Sequence, residues 1–116
     1  MLGERDPHWN GERRFATDEA LQRDALQSDL PVLLRFSAEW SGPCRTMGAV
    51  ISIIAKDYEG RLVFVDVDID SGLDVIGRFG VKITPTMILL KNGKEVARKA
   101  GPMSKEAFSR WLDERL

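Results

Sequence analysis

Asn92-Gly93 stands between two runs of strand-forming residues, Pro85 to Lys91 and Lys94 to Ala100. A two-residue Asn-Gly link adopts positive φ at both positions with little penalty, and its twist matches that of paired antiparallel strands. The spacing therefore predicts a β-hairpin near the end of the chain. Further back, Val32 to Ser37 is a short apolar run with Arg35 inside it, the pattern of a buried strand. Gly42-Pro43 opens a helix, because proline suits a first helical turn. Cys44, Met47, Gly48, Ile51, Ile54, Ala55 and Tyr58 recur at three- and four-residue intervals and make one buried stripe, which Gly60 ends. Leu62 to Ile69 is strand-like and apolar on both faces as far as Val67. Ser71 can cap a short helix bearing Val75, Ile76 and Phe79, with Gly80 as its stop. Ser104 can cap a last helix that carries Phe108, Trp111, Leu112 and Leu116 along one side. Near the start, Thr17 can cap a helix with Leu21, Ala25 and Leu26 on one face, ending before Leu30-Pro31.

From Val32 on, the order is strand, helix, strand, helix, hairpin, helix. The strand–helix–strand unit from Val32 to Ile69 should be parallel and right-handed, whereas the hairpin is antiparallel. An α/β fold follows, with a mixed central β-sheet flanked by helices on both faces.

The chain has 116 residues, 43% hydrophobic and 30% charged, which suits one globular domain. Residues 1–11 carry Gly3, Pro7, Asn10 and Gly11 without apolar periodicity and read as a flexible extension before a single domain at 12–116. The Gly-Glu-Arg-Arg segment at 11–14 reads as solvated terminus. A net charge of −1 offers no basic footprint for nucleic acid. No apolar run approaches the ~20 residues of a membrane span, and the first residues lack the apolar segment of a secretory signal. One cysteine rules out an internal disulfide, and a lone thiol without an export signal points to a cytoplasmic location. The one histidine, His8, stands apart from the cysteine in the polar N-terminal segment. Neither a metal site nor Cys–His catalysis is expected.

The chemistry-bearing segment is Trp40-Ser41-Gly42-Pro43-Cys44. Other segments accompany it in order: Ala38-Glu39 before it, then Asp68-Ile69-Asp70, Phe79-Gly80-Val81, Thr84-Pro85-Thr86, Lys91-Asn92-Gly93 and Gly101. On these residues the chain, from about Thr17 to Leu116, resembles the thioredoxin family. The resemblance implies the thioredoxin fold and a cis peptide bond before Pro85. It also implies a shallow groove that grips an extended client segment, lined here by Trp40, Gly42, Pro43, Thr84, Pro85 and Gly101. The family activity is thiol–disulfide exchange on client proteins, with a thioredoxin reductase as electron donor and no bound cofactor. A monomer is expected.

Several positions depart from the family pattern. Ser41 stands where the family places its attacking thiolate. A cysteine there starts from a pKa of about 8.5 and is lowered further at a helix N-terminus. A serine hydroxyl has no comparable ionisation, and its expected role is to cap the helix that begins at Pro43. Cys44 matches the more buried resolving cysteine, and its place on the apolar stripe favours an inert, packed thiol. Arg35 occupies the position of a family aspartate thought to help deprotonate that thiol, and Asp66 the position of a common lysine, so the signs are exchanged. Both lie in apolar strand runs where an unpaired charge is costly, which predicts that they pair. An arginine cannot serve as a base, although its charge can favour a thiolate nearby. Ser37 replaces a tryptophan, and Ala49 replaces a proline that kinks the helix.

Three functions remain open on the sequence. The first is a thiol–disulfide oxidoreductase homologue that cannot act as a dithiol reductase and has at most monothiol chemistry at Cys44. The second is a non-catalytic binding module, a chaperone or assembly factor that uses the groove alone. The third is an engineered Cys-to-Ser variant of an active thioredoxin, a reading that the several departures away from position 41 weaken.

Overall fold

The computed structural model describes residues 12–14, 22, 27–38, 40–71 and 74–116. The N-terminal extension at 1–11 and most of the helix opened by Thr17 lie outside them. Within the described residues the elements are β1 (Glu12–Arg14), β2 (Val32–Ser37), α1 (Gly42–Ile54) continued by a 3₁₀ turn (Ala55–Tyr58), β3 (Val63–Asp68), α2 (Asp74–Phe79), β4 (Thr86–Lys91), β5 (Lys94–Ala100) and α3 (Lys105–Asp113).

The strands form one sheet in the order β1-β3-β2-β4-β5. β2 is central, parallel to β3 and antiparallel to β4, and β5 pairs antiparallel with β4. This is the mixed sheet that the order of elements predicts. The hairpin turn has Asn92 at φ 54 and Gly93 at φ 77, the left-handed pair that a tight two-residue link requires. β5 is exposed along almost its whole length and is rich in Lys and Arg, which suits an edge strand.

Glu12–Arg14 corrects the sequence expectation. In place of solvated terminus, it forms a short strand parallel to β3, with Glu12 opposite Phe64 and Arg14 opposite Asp66. Its pairing uses backbone amides and carbonyls, which any side chain permits, so hydrophobic patterning gave no sign of it. The outer edge of β3 would otherwise present unpaired groups.

Alternation along β2 divides the core between the two faces of the sheet. Val32, Leu34 and Phe36 join Val65, Val67, Val75, Ile88 and Leu90, and Ile76 and Phe79 of α2 pack against them. On the other face, Leu33 meets Met47, Ile51 and Ile54 of α1, together with Phe64, Met87, Leu89 and the α3 residues Phe108 and Leu112. Each large apolar side chain buried in this way contributes about 1.5–3 kcal/mol of transfer free energy. Arg35 and Ser37 share the parity of Leu33, and Asp66 that of Phe64. All three polar residues therefore belong to the face that α1 covers.

Helix ends follow the capping residues. Ser104 Oγ accepts the Ala107 amide at 3.1 Å at the start of α3. Trp111 of α3 is half-buried, and Leu116 lies past the helix end and is exposed. Gly60 and Gly80 take positive φ where the sequence places stops. Capping by Ser71 turns on residues 72–73, which lie outside the described residues.

Candidate functional site

The site gathers at one end of the sheet because the strand registers put it there. β2 ends at Ser37 beside Asp68 of β3, Phe36 faces Thr86 of β4, and Thr86 faces Ala100 of β5. The loop after β2, the Asp68–Asp70 turn, the Thr84–Pro85 segment and Gly101 thus emerge together.

Ser41 occupies the N-cap of α1 with extended backbone angles (φ −93, ψ 126). Its hydroxyl accepts the Cys44 amide at 3.4 Å and its carbonyl accepts the Arg45 amide at 3.1 Å. The Ser41 amide in turn donates to the Ala38 carbonyl at 3.0 Å, closing the loop. Gly42 and Pro43 are exposed, and Pro43 sits in the first turn, where its missing N–H leaves nothing unsatisfied. Trp40 is 71% exposed, with its indole N–H donated to Asp70 Oδ2 at 3.0 Å. Asp70 is positioned by its own amide, which donates to Asp68 Oδ1 at 2.9 Å. Glu39 lies outside the described residues.

The Thr84–Pro85 peptide bond is cis. Pro85 is buried, Thr84 is half-buried, and the Pro85 carbonyl accepts the Gly101 amide at 2.8 Å. Gly101 has φ +90, in the left-handed region that favours glycine. Beside them Ile83 is 55% exposed, and its carbonyl accepts the Thr86 hydroxyl at 2.7 Å.

Cys44 is 3% exposed, and its Sγ accepts the Ala38 amide at 3.4 Å. Beneath it lies a buried polar cluster. Arg35 and Asp66 are direct neighbours across β2 and β3. Arg35 grips both carboxylate oxygens, Nε to Oδ1 at 3.2 Å and Nη2 to Oδ2 at 2.8 Å, the planar fork that suits a guanidinium. The Ser37 hydroxyl also donates to Oδ1, at 3.0 Å. Arg35 Nη1 donates to the Cys44 carbonyl at 3.4 Å, so the fork joins the sheet to the first turn of α1. Among the described residues Asp66 is the one buried carboxylate, and it is committed to this fork.

Sequence alone gives no role to two members of the cluster. Ser37 reads there as a departure, yet its hydroxyl serves the Asp66 carboxylate. Gly48 reads as one position of an apolar stripe, but a Cβ there would collide with Arg35 Nη1. A glycine inside a helix costs about 1 kcal/mol relative to alanine, which is the sequence signal that something else must need the space.

The comparisons with known proteins agree with this geometry. The thioredoxin family model matches residues 13–114. The chain belongs to the thioredoxin family. It is 37% identical over 101 residues to the thioredoxin of Chlorobaculum thiosulfatiphilum, covering 87% of this chain and 94% of that protein. Against the thioredoxin of Pseudomonas aeruginosa it is 38% identical over 97 residues, or 84% and 90% of the two chains. Thioredoxin 1 of a Nostoc species gives 36% over 100 residues, 86% and 94%. The family is one of thiol–disulfide oxidoreductases, and the chain brings a single thiol, Cys44, to that chemistry. Among the described residues no helix is long and apolar enough to cross a membrane.

Proposed function

We propose that this chain, a thioredoxin-family oxidoreductase homologue, does not turn over client disulfides and is left with at most monothiol chemistry at Cys44. The observation that carries the proposal is the state of residue 41. Where the family chemistry needs a thiolate, a hydroxyl caps α1 and accepts the Cys44 amide. One sulfur can form a mixed disulfide but cannot release it from within. The Cys44 thiolate would attack one sulfur of a client disulfide, form the Cys44–client bond and expel the second client sulfur as a thiolate. An external thiol would then be needed to free the protein.

The groove of this reading is Trp40, Gly42, Pro43, Thr84, Pro85 and Gly101, and the clients are proteins with thiols or disulfides. Family members are reduced by a thioredoxin reductase, which is a candidate partner here. Residues 12–116 act as one domain, monomeric and cytoplasmic. The test is reduction of a protein disulfide with a small dithiol as electron donor. The protein should add nothing to the rate of the donor alone, and acceleration that disappears in Cys44→Ser overturns the proposal.

A second reading is favoured by a separate observation. Cys44 is nearly inaccessible, with its sulfur facing the Ala38 amide. That suits a groove which binds extended segments and does no sulfur chemistry at all. Ser41→Cys separates the readings from an engineered origin: restored turnover means that only residue 41 blocks an otherwise working site. Absence of turnover in that variant favours a divergent, non-catalytic protein, with Arg35 the first residue to exchange.

A further inference from the structure

We infer that Gly48 and Arg35 form a joint that seats the first turns of α1 on the sheet and keeps Cys44 closed, which makes Arg35 a positioning residue for the one thiol of the site. The inference rests on the reading of Cys44 as the sulfur that the proposed function would use.

Glycine at 48 has no backbone reason. It lies inside α1, where glycine is the poorest helix former after proline. It is also absent from the glycines of positive φ among the described residues, Gly60, Gly80, Gly93 and Gly101. The reason is space. A Cβ at 48 would strike Arg35 Nη1 and stand 3.4 Å from Cζ and 3.5 Å from Nη2. The guanidinium lies against a bare Cα.

Nor can the guanidinium easily withdraw. Asp66 holds Nε at 3.2 Å and Nη2 at 2.8 Å, and Ser37 fixes the carboxylate at 3.0 Å. Two edges of the fork fasten it to the sheet, and the third points at α1. There Nη1 donates to the Cys44 carbonyl at 3.4 Å. In an α-helix that carbonyl also receives the amide four residues on, which is Gly48. One carbonyl and one missing side chain on successive turns thus meet the same guanidinium. With the guanidinium held in this way, a side chain at 48 is relieved by a shift of the start of α1 away from β2. Cys44 moves with that turn, and its contact with the Ala38 amide opens.

Alkylation of Cys44 by iodoacetamide, followed against pH in the folded protein, tests the joint, with global stability measured in parallel by urea melts. Gly48→Ala should label at least about tenfold faster than the parent, and by more than its change in the global unfolding constant explains. Arg35→Lys keeps the charge but loses the fork, and should also label faster. The double variant Gly48→Ala with Arg35→Lys should label no faster than Arg35→Lys alone, because the collision partner of the new methyl is gone.

Labelling of Gly48→Ala at the parent rate overturns the joint. So does a gain that matches the change in global unfolding, or single effects that multiply in the double. If Gly48→Ala does not fold, Arg35→Lys decides: faster labelling at unchanged unfolding supports the joint, and the parent rate overturns it. Every arm is read in the Ser41 protein without disulfide turnover. Turnover by the parent would therefore sink the proposed function and leave the joint standing.

Discussion

Replacing Asp66 by leucine should be among the most destabilising single changes in this chain. The carboxylate is 3% exposed and its partner Arg35 6% exposed. Leucine removes both contacts to the fork, at 3.2 and 2.8 Å, from a guanidinium buried between a sheet and a helix beside the Cys44 carbonyl. Breaking a buried pair from one side costs about 3–5 kcal/mol. That is a large part of the ~5–15 kcal/mol by which domains are stable. With a urea slope of about 2 kcal/mol per molar, the midpoint should fall by roughly 1.5–2.5 M. Asp66→Asn keeps an oxygen for Ser37 or for the fork and should sit at the low end.

The pair itself is a different quantity from its breakage. Desolvating two charges cancels much of their attraction, so apolar replacement of both can be close to neutral. Arg35→Met with Asp66→Leu should regain most of the loss, short of about 1 kcal/mol for the Ser37 hydroxyl left without its acceptor. Exchanging the signs through Arg35→Asp with Asp66→Lys should regain less, because the space at Gly48 is shaped for a guanidinium. Urea melts of the four proteins of the cycle, read by tryptophan fluorescence, measure the coupling. A loss below about 1 kcal/mol in Asp66→Leu, or a double variant equal to the sum of its singles, refutes the reasoning. If Asp66→Leu does not fold, a folded double variant is the same result in stronger form.

Other consequences are open to simpler measurement. Ser41→Ala removes the N-cap of α1 and should cost about 0.5–2 kcal/mol in urea melts, with the chemistry at Cys44 otherwise unaltered. Gly101→Ala adds a methyl that meets nothing within 4 Å, so its cost is the backbone alone, about 1–2 kcal/mol for a left-handed alanine. Tyr58 is the one tyrosine of the chain, and absorbance near 295 nm reads it directly. Its phenol is pushed up to about 12, first by burial and then by its hydrogen bond to Asp113 at 2.7 Å. Between pH 10 and 12 the unfolded chain has lost this proton and the folded one keeps it. Stability should therefore be intact below pH 10 and decline toward pH 12, and Tyr58→Phe should remove that part of the decline.

Most of the fold was legible because its elements are specified locally. The Asn92-Gly93 turn, the Ser104 cap and the glycine stops at 60 and 80 each act within a few residues, and each stands where the chain places it. The two faces of the sheet follow from alternation in β2 and β3. β1 was not legible, since Glu12–Arg14 pairs through its backbone and its charged residues carry no periodic signal. The helical stripe of α1 predicted burial at Cys44, Met47, Ile51 and Ile54, but it could not tell a glycine that pads a stripe from one that makes room.

The departures beneath Cys44 are better understood as one change than as several. A buried arginine at 35 needs a carboxylate beside it, and residue 66 is a direct neighbour across β2 and β3 that supplies one. A carboxylate held by one fork retains acceptor capacity, which a small hydroxyl at 37 fills and a bulky ring could not. A guanidinium is longer than a carboxylate and reaches α1, where glycine at 48 leaves room for it. Each residue is costly alone and acceptable with the rest. Among the described residues the cluster's one buried carboxylate is held by the fork, and the fork fastens the first turn of α1 through the Cys44 carbonyl. Serine at 41 fits the same logic: with no base below to serve a resolving thiol, a nucleophile at 41 would form mixed disulfides that the site could resolve only slowly. Restoring cysteine at 41 alone should therefore yield trapped client adducts before it yields turnover, and turnover should rise when Arg35 and Asp66 are exchanged in the same chain.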